Sequence, residues 1–258
     1  LNEMSYQIYS ILFTSSVFAV DTFLILGSVL LSWSTLSALE NKKFNLPRMI
    51  LHRYLRYTPV LAAMMLFYIS LNRHLVTGPV TSLNDFFIES CMTYWWSTLL
   101  HIQNYVNVTQ MCLPHSWYLS ADFQLFLISP FFIYFAWKFG RKFIWTFPLV
   151  ALLSAIYLIV VTLVYEIQTT VRKEGQFGDF FMILYYPTHT RLASWFIGMH
   201  TGYFLHKYRN KKLNISKTLD AILWICALSI LIAVVLGIKL FALPMEEVSL
   251  VSNALYFG

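Results

Sequence analysis

The stretch CLPHSWYLSADFQLFLISP, Cys112 to Pro130, decides what kind of chain this is. It opens on polar groups and runs into apolar sequence of the kind that spans a membrane, yet it keeps Asp122 and Gln124 inside the run. A charged side chain at the centre of a membrane helix costs about 3 kcal/mol even on the lenient insertion scale. A carboxylate held there faces a partner or a wet interior.

The rest of the chain agrees with a membrane setting. It has 258 residues, 58% of them hydrophobic, and only 12% are charged, where a soluble domain carries about a quarter. Mean hydropathy is +0.62. Six long apolar runs stand out, at roughly 14–38, 57–76, 116–137, 143–165, 192–207 and 218–238. They predict an all-α, multi-pass transmembrane helix bundle of about six spans. Residues 248–258 read as the start of another span, and the chain begins at Leu1. The expectation is therefore one membrane domain over 1–258, part of a longer polytopic protein, with no soluble domain.

Thirteen of the eighteen basic residues fall in three alternate connections, at 41–56, 138–142 and 207–217. By the positive-inside rule those loops are cytosolic. The opposite loops are then extracellular or lumenal, in the plasma membrane or an endomembrane. Cys91 and Cys112 both lie on that oxidising side, where a disulfide persists. Asn107 opens the sequon Asn-Val-Thr between them and is a candidate glycosylation site. A second sequon at Asn214 falls in a basic loop and is expected to be silent. Cys226, within the sixth span, is expected to be a small buried apolar residue.

At helical spacing, His115, Tyr118, Asp122 and Ser129 fall near one stripe, and Trp117, Ser120 and Gln124 form its neighbour. In the first span Asp21, Ser28 and Ser32 repeat the pattern. Asp21 and Asp122 are each about 10 Å from an outer helix end. Each is either a helix–helix hydrogen bond or part of a shared polar cavity. Arg53 and Arg56, three apart at the expected inner mouth of the second span, suit a phosphorylated cofactor; the alternative is snorkelling to lipid headgroups. Gly198 and Gly202 permit close helix packing. There is no metal-ligand spacing, no Gly-rich phosphate loop and no nucleophile elbow. Nucleic acid is excluded as a partner, because the basic loops lack interleaved aromatics.

These segments together resemble a known family. VDTFLILGSVLLSW (20–33) is similar to the vDtFF-x-x-SG signature of the acyltransferase-3 family, with its Ser-Gly inverted to Gly27-Ser28. HRYLRYTP (52–59) resembles the family's R-x-x-R-x-x-P element. SWYLSADFQLFLISP (116–130), TR-x-x-x-WFIGM (190–199) and ESCMTYWWSTLLHIQNY (89–105) resemble its animal branch, called nose resistant to fluoxetine. The resemblance implies a multi-pass enzyme that moves an acyl group, commonly acetyl, from acyl-CoA to an acceptor hydroxyl. The acceptor is a lipid or carbohydrate, within or across the bilayer, and no metal is implied. On that reading Arg53 and Arg56 bind the CoA phosphates. Asp21, Tyr118, Gln124 and Arg191 line the acceptor side. Asp122 orients a histidine base, with His115 as the candidate within this sequence; the family's principal histidine is expected upstream of Leu1. The alternative is a non-catalytic lipid or small-molecule transporter on the same scaffold.

Overall fold

The computed structural model describes residues 2–72, 81–165, 180–211 and 216–242, with side chains over 19–71, 85–165, 180–211 and 216–234. The further span at 248–258 and the sequon at Asn214 lie outside the described residues. Among these the chain is helical and holds no strand. The long helices are α1 (Asn2–Glu40), α2 (Leu46–Phe67), α3 (Thr81–Leu99), α4 (Trp117–Phe139), α5 (Thr146–Val164), α6 (Leu192–Tyr208) and α7 (Lys217–Ala242).

Five of them are long and apolar enough to cross a membrane: Ala19–Glu40, Leu46–Leu71, Pro114–Phe139, Arg141–Val164 and Lys217–Val234. The exception among the six expected spans is α6. Its 17 residues are short for a hydrocarbon core, and it sits in the middle of the bundle, with Trp195, Phe196 and Met199 almost fully buried. Two glycines let it approach α1. A Cβ on Gly202 would stand 2.6 Å from the Val29 carbonyl and 2.8 Å from Ser32 Cβ. One on Gly198 would overlap Ser28 Oγ and the Ile25 backbone. Without a hydrophobic drive between helices in lipid, this small-residue contact is what allows dense packing. Leu24, Leu31, Phe126, Phe147 and Trp195 complete the core around it.

Two elements depart from expectation. α2 starts at Leu46, eleven residues earlier than its hydropathy suggests. Pro47 fits the first helical turn, and the Asn45 side chain accepts the Arg48 N–H at 3.1 Å, so the polar lead-in is helical too. The connection expected between the second and third spans contains α3, kinked at Tyr94. Beyond it a folded loop over 100–116 is tied back by a Cys91–Cys112 disulfide.

α4 runs the depth of the bundle. Its start lies beside the disulfide. At its far end Trp137 lines a cleft with Leu36 and Glu40 of α1, with Tyr203, His206 and Lys207 of α6, and with Arg209 and Asn210 just beyond it. The three basic loops therefore share one end. α7 touches α1 and is exposed along Lys217–Val234, so Cys226 is exposed, against the buried position expected for it.

Candidate functional site

The costly carboxylates both find arginines. Asp122 on α4 pairs through Oδ2 with Arg53 Nη2 on α2. The guanidinium lies 4.3 Å from the Phe126 ring centroid. The side chains of Arg53 and Asp122 are 17% and 15% exposed. Asp21 on α1 pairs with Arg191, at the start of α6, at 2.9 Å. Its other oxygen accepts from Ser194 Oγ at 3.0 Å. Arg191 also donates to the Tyr185 carbonyl at 3.0 Å and lies over the Tyr185 ring at 4.7 Å. In both arginines the Nε is buried without a partner.

Asp122 Oδ1, by contrast, makes no hydrogen bond among the described residues. It faces Gly27, where an added Cβ would stand 3.7 Å from it. The backbone that carries the inverted Gly-Ser pair is thus what leaves this oxygen uncovered. The contact also sets depth. Gly27 lies beside Asp122, so Asp21 is six residues, about 9 Å, further along α1. The two carboxylates are not level.

The expected inner gate is also revised. Arg53 is seven residues inside α2, about 10 Å from its start, because the helix begins at Leu46. It reaches Asp122 and does not stand open at a mouth. Arg56 is exposed, with its guanidinium 5.5 Å from the Tyr57 ring. The polar stripe on α4 divides as well. Pro114–Ser116 is a 3-10 turn, so His115 is out of α-helical register with Asp122 and is exposed. Tyr118 is 42% exposed on the outermost turn.

The neighbouring stripe meets a buried polar network. Gln124 donates to the His101 carbonyl at 2.6 Å and accepts from Thr188 Oγ1 at 2.6 Å. His101 Nε2 is 3.3 Å from Thr58 Oγ1 on α2. His101 is wholly buried, has φ 56°, and leaves Nδ1 unpaired. Burial pushes its imidazole down from 6.5 to about 4, so it is neutral near pH 7. Asn104 ties the loop to the Trp117 carbonyl at 3.1 Å and the Tyr186 carbonyl at 2.9 Å. Asn107 belongs to the same network: it accepts from Ser97 at 2.7 Å and donates to the Gln110 carbonyl at 2.8 Å. The candidate sequon residue is therefore 6% exposed, with its amide nitrogen engaged in that bond. His101 and this network were missed by sequence reasoning. Their only signal was a run of polar residues, Gln103, Asn104 and Asn107, following a Trp pair.

The fold and site define a polytopic helical membrane protein with two arginine–carboxylate pairs sunk between its helices. The acyltransferase-3 family profile, described as an acyltransferase domain, matches residues 1–257, and the chain belongs to that family. It is 24% identical over 263 residues to nose resistant to fluoxetine protein 6 of Caenorhabditis elegans, covering 92% of this chain and 32% of the relative. It thus spans about a third of that relative's length. No solved structure matches it.

Proposed function

We propose that this domain transfers an acyl group, acetyl in the simplest case, from acyl-CoA to a hydroxyl of a lipid or carbohydrate. Family membership supports membrane acyl transfer in general. The observation that carries the finer reading is the uncovered Oδ1 of Asp122, held between helices by Arg53. A carboxylate with one oxygen fixed and one free can hold the N–H of a histidine base and stabilise its imidazolium. The base takes the acceptor O–H proton. The acceptor oxygen then bonds to the thioester carbonyl carbon, the C–S bond breaks, and the CoA thiolate leaves, protonated in turn by the imidazolium.

The resemblance implies a histidine base, and the two histidines nearest this region do not supply it: His115 is exposed and His101 is held by Thr58 and Gln124. Arg56, exposed on α2, is the better of the two arginines for the CoA phosphates. Asp21, with both oxygens taken by Arg191 and Ser194, acts with Arg191 as structure at the acceptor side. Acyl-CoA turnover by the full-length protein tests the reading: Asp122→Asn abolishes transfer while expression holds. Wild-type turnover in that variant rejects it, and binding of lipid without turnover in the wild type points to the transporter alternative.

A further inference from the structure

The cleft at the basic end is not part of the arrangement above. Its volume is about 320 Å³, and it is lined by Glu40, Trp137, Tyr203, His206, Lys207 and Arg209, with Leu36 and Asn210. Arg209 is held in a resting position. It donates to Glu40 Oε2 at 2.9 Å and to the His206 carbonyl at 3.0 Å, and it lies against the His206 ring. His206 itself is 3% exposed, fixed by Ser37 Oγ at 3.1 Å and edge-on to Trp33. Lys207 is exposed, its ammonium 5.7 Å from the Tyr203 ring. Glu40 offsets one of the two cations, so the cleft keeps one positive charge in excess, beside Lys138 and Lys211 on the same end.

The geometry points to a binding site for a phosphate-bearing ligand. Guanidinium, ammonium and amide donors line the cleft from Arg209, Lys207 and Asn210, a set that suits the several oxygens of a phosphate. The walls are Trp137 and Tyr203, aromatic groups that favour the membrane–water boundary, and Leu36 adds apolar surface. The volume leaves room for whatever the phosphate is attached to. Glu40 acts as the internal competitor: it holds Arg209 until a phosphate takes its place. This site is separate from Asp122 and does not require the domain to be catalytic.

Two sources share this chemistry, an anionic lipid headgroup and the phosphates of coenzyme A. The full-length protein in nanodiscs distinguishes them. One arm measures binding of fluorescent phosphatidic acid against diacylglycerol; the other titrates coenzyme A against pantetheine, so that each control lacks phosphate. One of the two phosphate probes binds better than its control, and Lys207→Gln with Arg209→Gln weakens that binding by about tenfold or more. Glu40→Gln frees Arg209 and tightens it, a change that a structural role for the cluster would not produce. Lys207→Gln alone, at an exposed position, gives a smaller loss and serves if the double variant misfolds. Retained binding in both Lys207 variants, or no preference in either arm, overturns the site.

Discussion

Two arginine–aspartate pairs of the same chemistry sit in this bundle in different states. Asp21 is closed: both its oxygens are taken, by Arg191 and Ser194, and Arg191 is further fixed by the Tyr185 carbonyl. Asp122 is open: Arg53 holds one oxygen, and the other faces the gap at Gly27. A buried pair is weak evidence of net stability. What separates the two is the satisfaction of the acceptors. A saturated carboxylate can only brace helices. A half-satisfied one keeps a lone pair for something else.

Replacing each aspartate with asparagine is the strongest test of that difference. At Asp122 the amide oxygen still accepts from Arg53, and the amide nitrogen turns to the free side. The fold survives, while the charge that orients the base is lost. Turnover falls by about 10³-fold or more, with the melting temperature in detergent nearly unchanged. At Asp21 both oxygens are acceptors, so an amide must set its NH₂ against Arg191 or Ser194. That variant loses about 3 kcal/mol of stability, seen as a lower melting temperature. Equal behaviour of the two variants in both measurements would erase the distinction.

The sequence made the bundle legible because its strongest signals are long and one-dimensional. Hydropathy placed five of the six spans, and alternating basic loops grouped the ends of α1, α4 and α6 that meet at Glu40, Trp137 and Lys207. The spacing of Gly198 and Gly202 foretold the α1–α6 contact. The site was legible as residue types and not as partners. Arg53 looked like a gate because polar residues before a span do not register in hydropathy, although Pro47 and Asn45 extend α2 through them. Tyr118 and His115 looked like neighbours of Asp122 because helical spacing was carried through a 3-10 turn. His101 gave no signal beyond the polar run that follows it, since its role depends on a left-handed backbone and on Gln124, 23 residues away.

That histidine offers a pH test aimed at the open side alone, because its carbonyl is anchored by Gln124, two residues past Asp122. Its imidazole is pushed from 6.5 to about 4 by burial. Between those values the unfolded chain binds the proton and the folded one does not. Stability is therefore fully present above pH 6.5 and is lost as the pH falls toward 4, up to about 3 kcal/mol. His189, also lowered by burial, slopes the same way, so the comparison is between wild type and His101→Gln. The variant has the shallower fall of melting temperature over pH 6.5 to 4. Identical slopes would mean that His101 does not stay neutral in the folded state.

The glycines separate the pairs by sterics. Gly27→Ala places a methyl at ordinary contact distance, 3.7 Å from Asp122 Oδ1. The helix gains about 1 kcal/mol of propensity, so folding is unharmed, but the free oxygen is covered. Turnover drops about tenfold or more, measured beside an unchanged or raised melting temperature. Gly198→Ala does the reverse. Its methyl overlaps Ser28 and the Ile25 backbone, forces α6 off α1, and draws Ser194 and Arg191 away from Asp21. It costs about 1–3 kcal/mol and leaves the α2–α4 contact between Arg53 and Asp122 in place. A Gly27→Ala variant with full activity would mean that nothing needs to approach Asp122 from α1.

The last contrast lies between the arginines that look equivalent in the sequence, and its small arm is Arg56. Arg53→Ala removes the partner of a carboxylate only 15% exposed, so it lowers kcat and stability together and leaves KM for acyl-CoA little changed. Arg56 is exposed and has no carboxylate partner among the described residues. Arg56→Ala therefore leaves melting and kcat alone and raises KM for acyl-CoA by about tenfold, the loss of one charge-assisted phosphate contact. The split between kcat and KM is what the geometry demands, because three residues apart on one helix these side chains reach different surroundings: one is drawn into the bundle by Asp122, and the other is left at its surface. If both variants change KM alike, Arg53 leaves Asp122 to meet the donor, and the open pair is a gate after all.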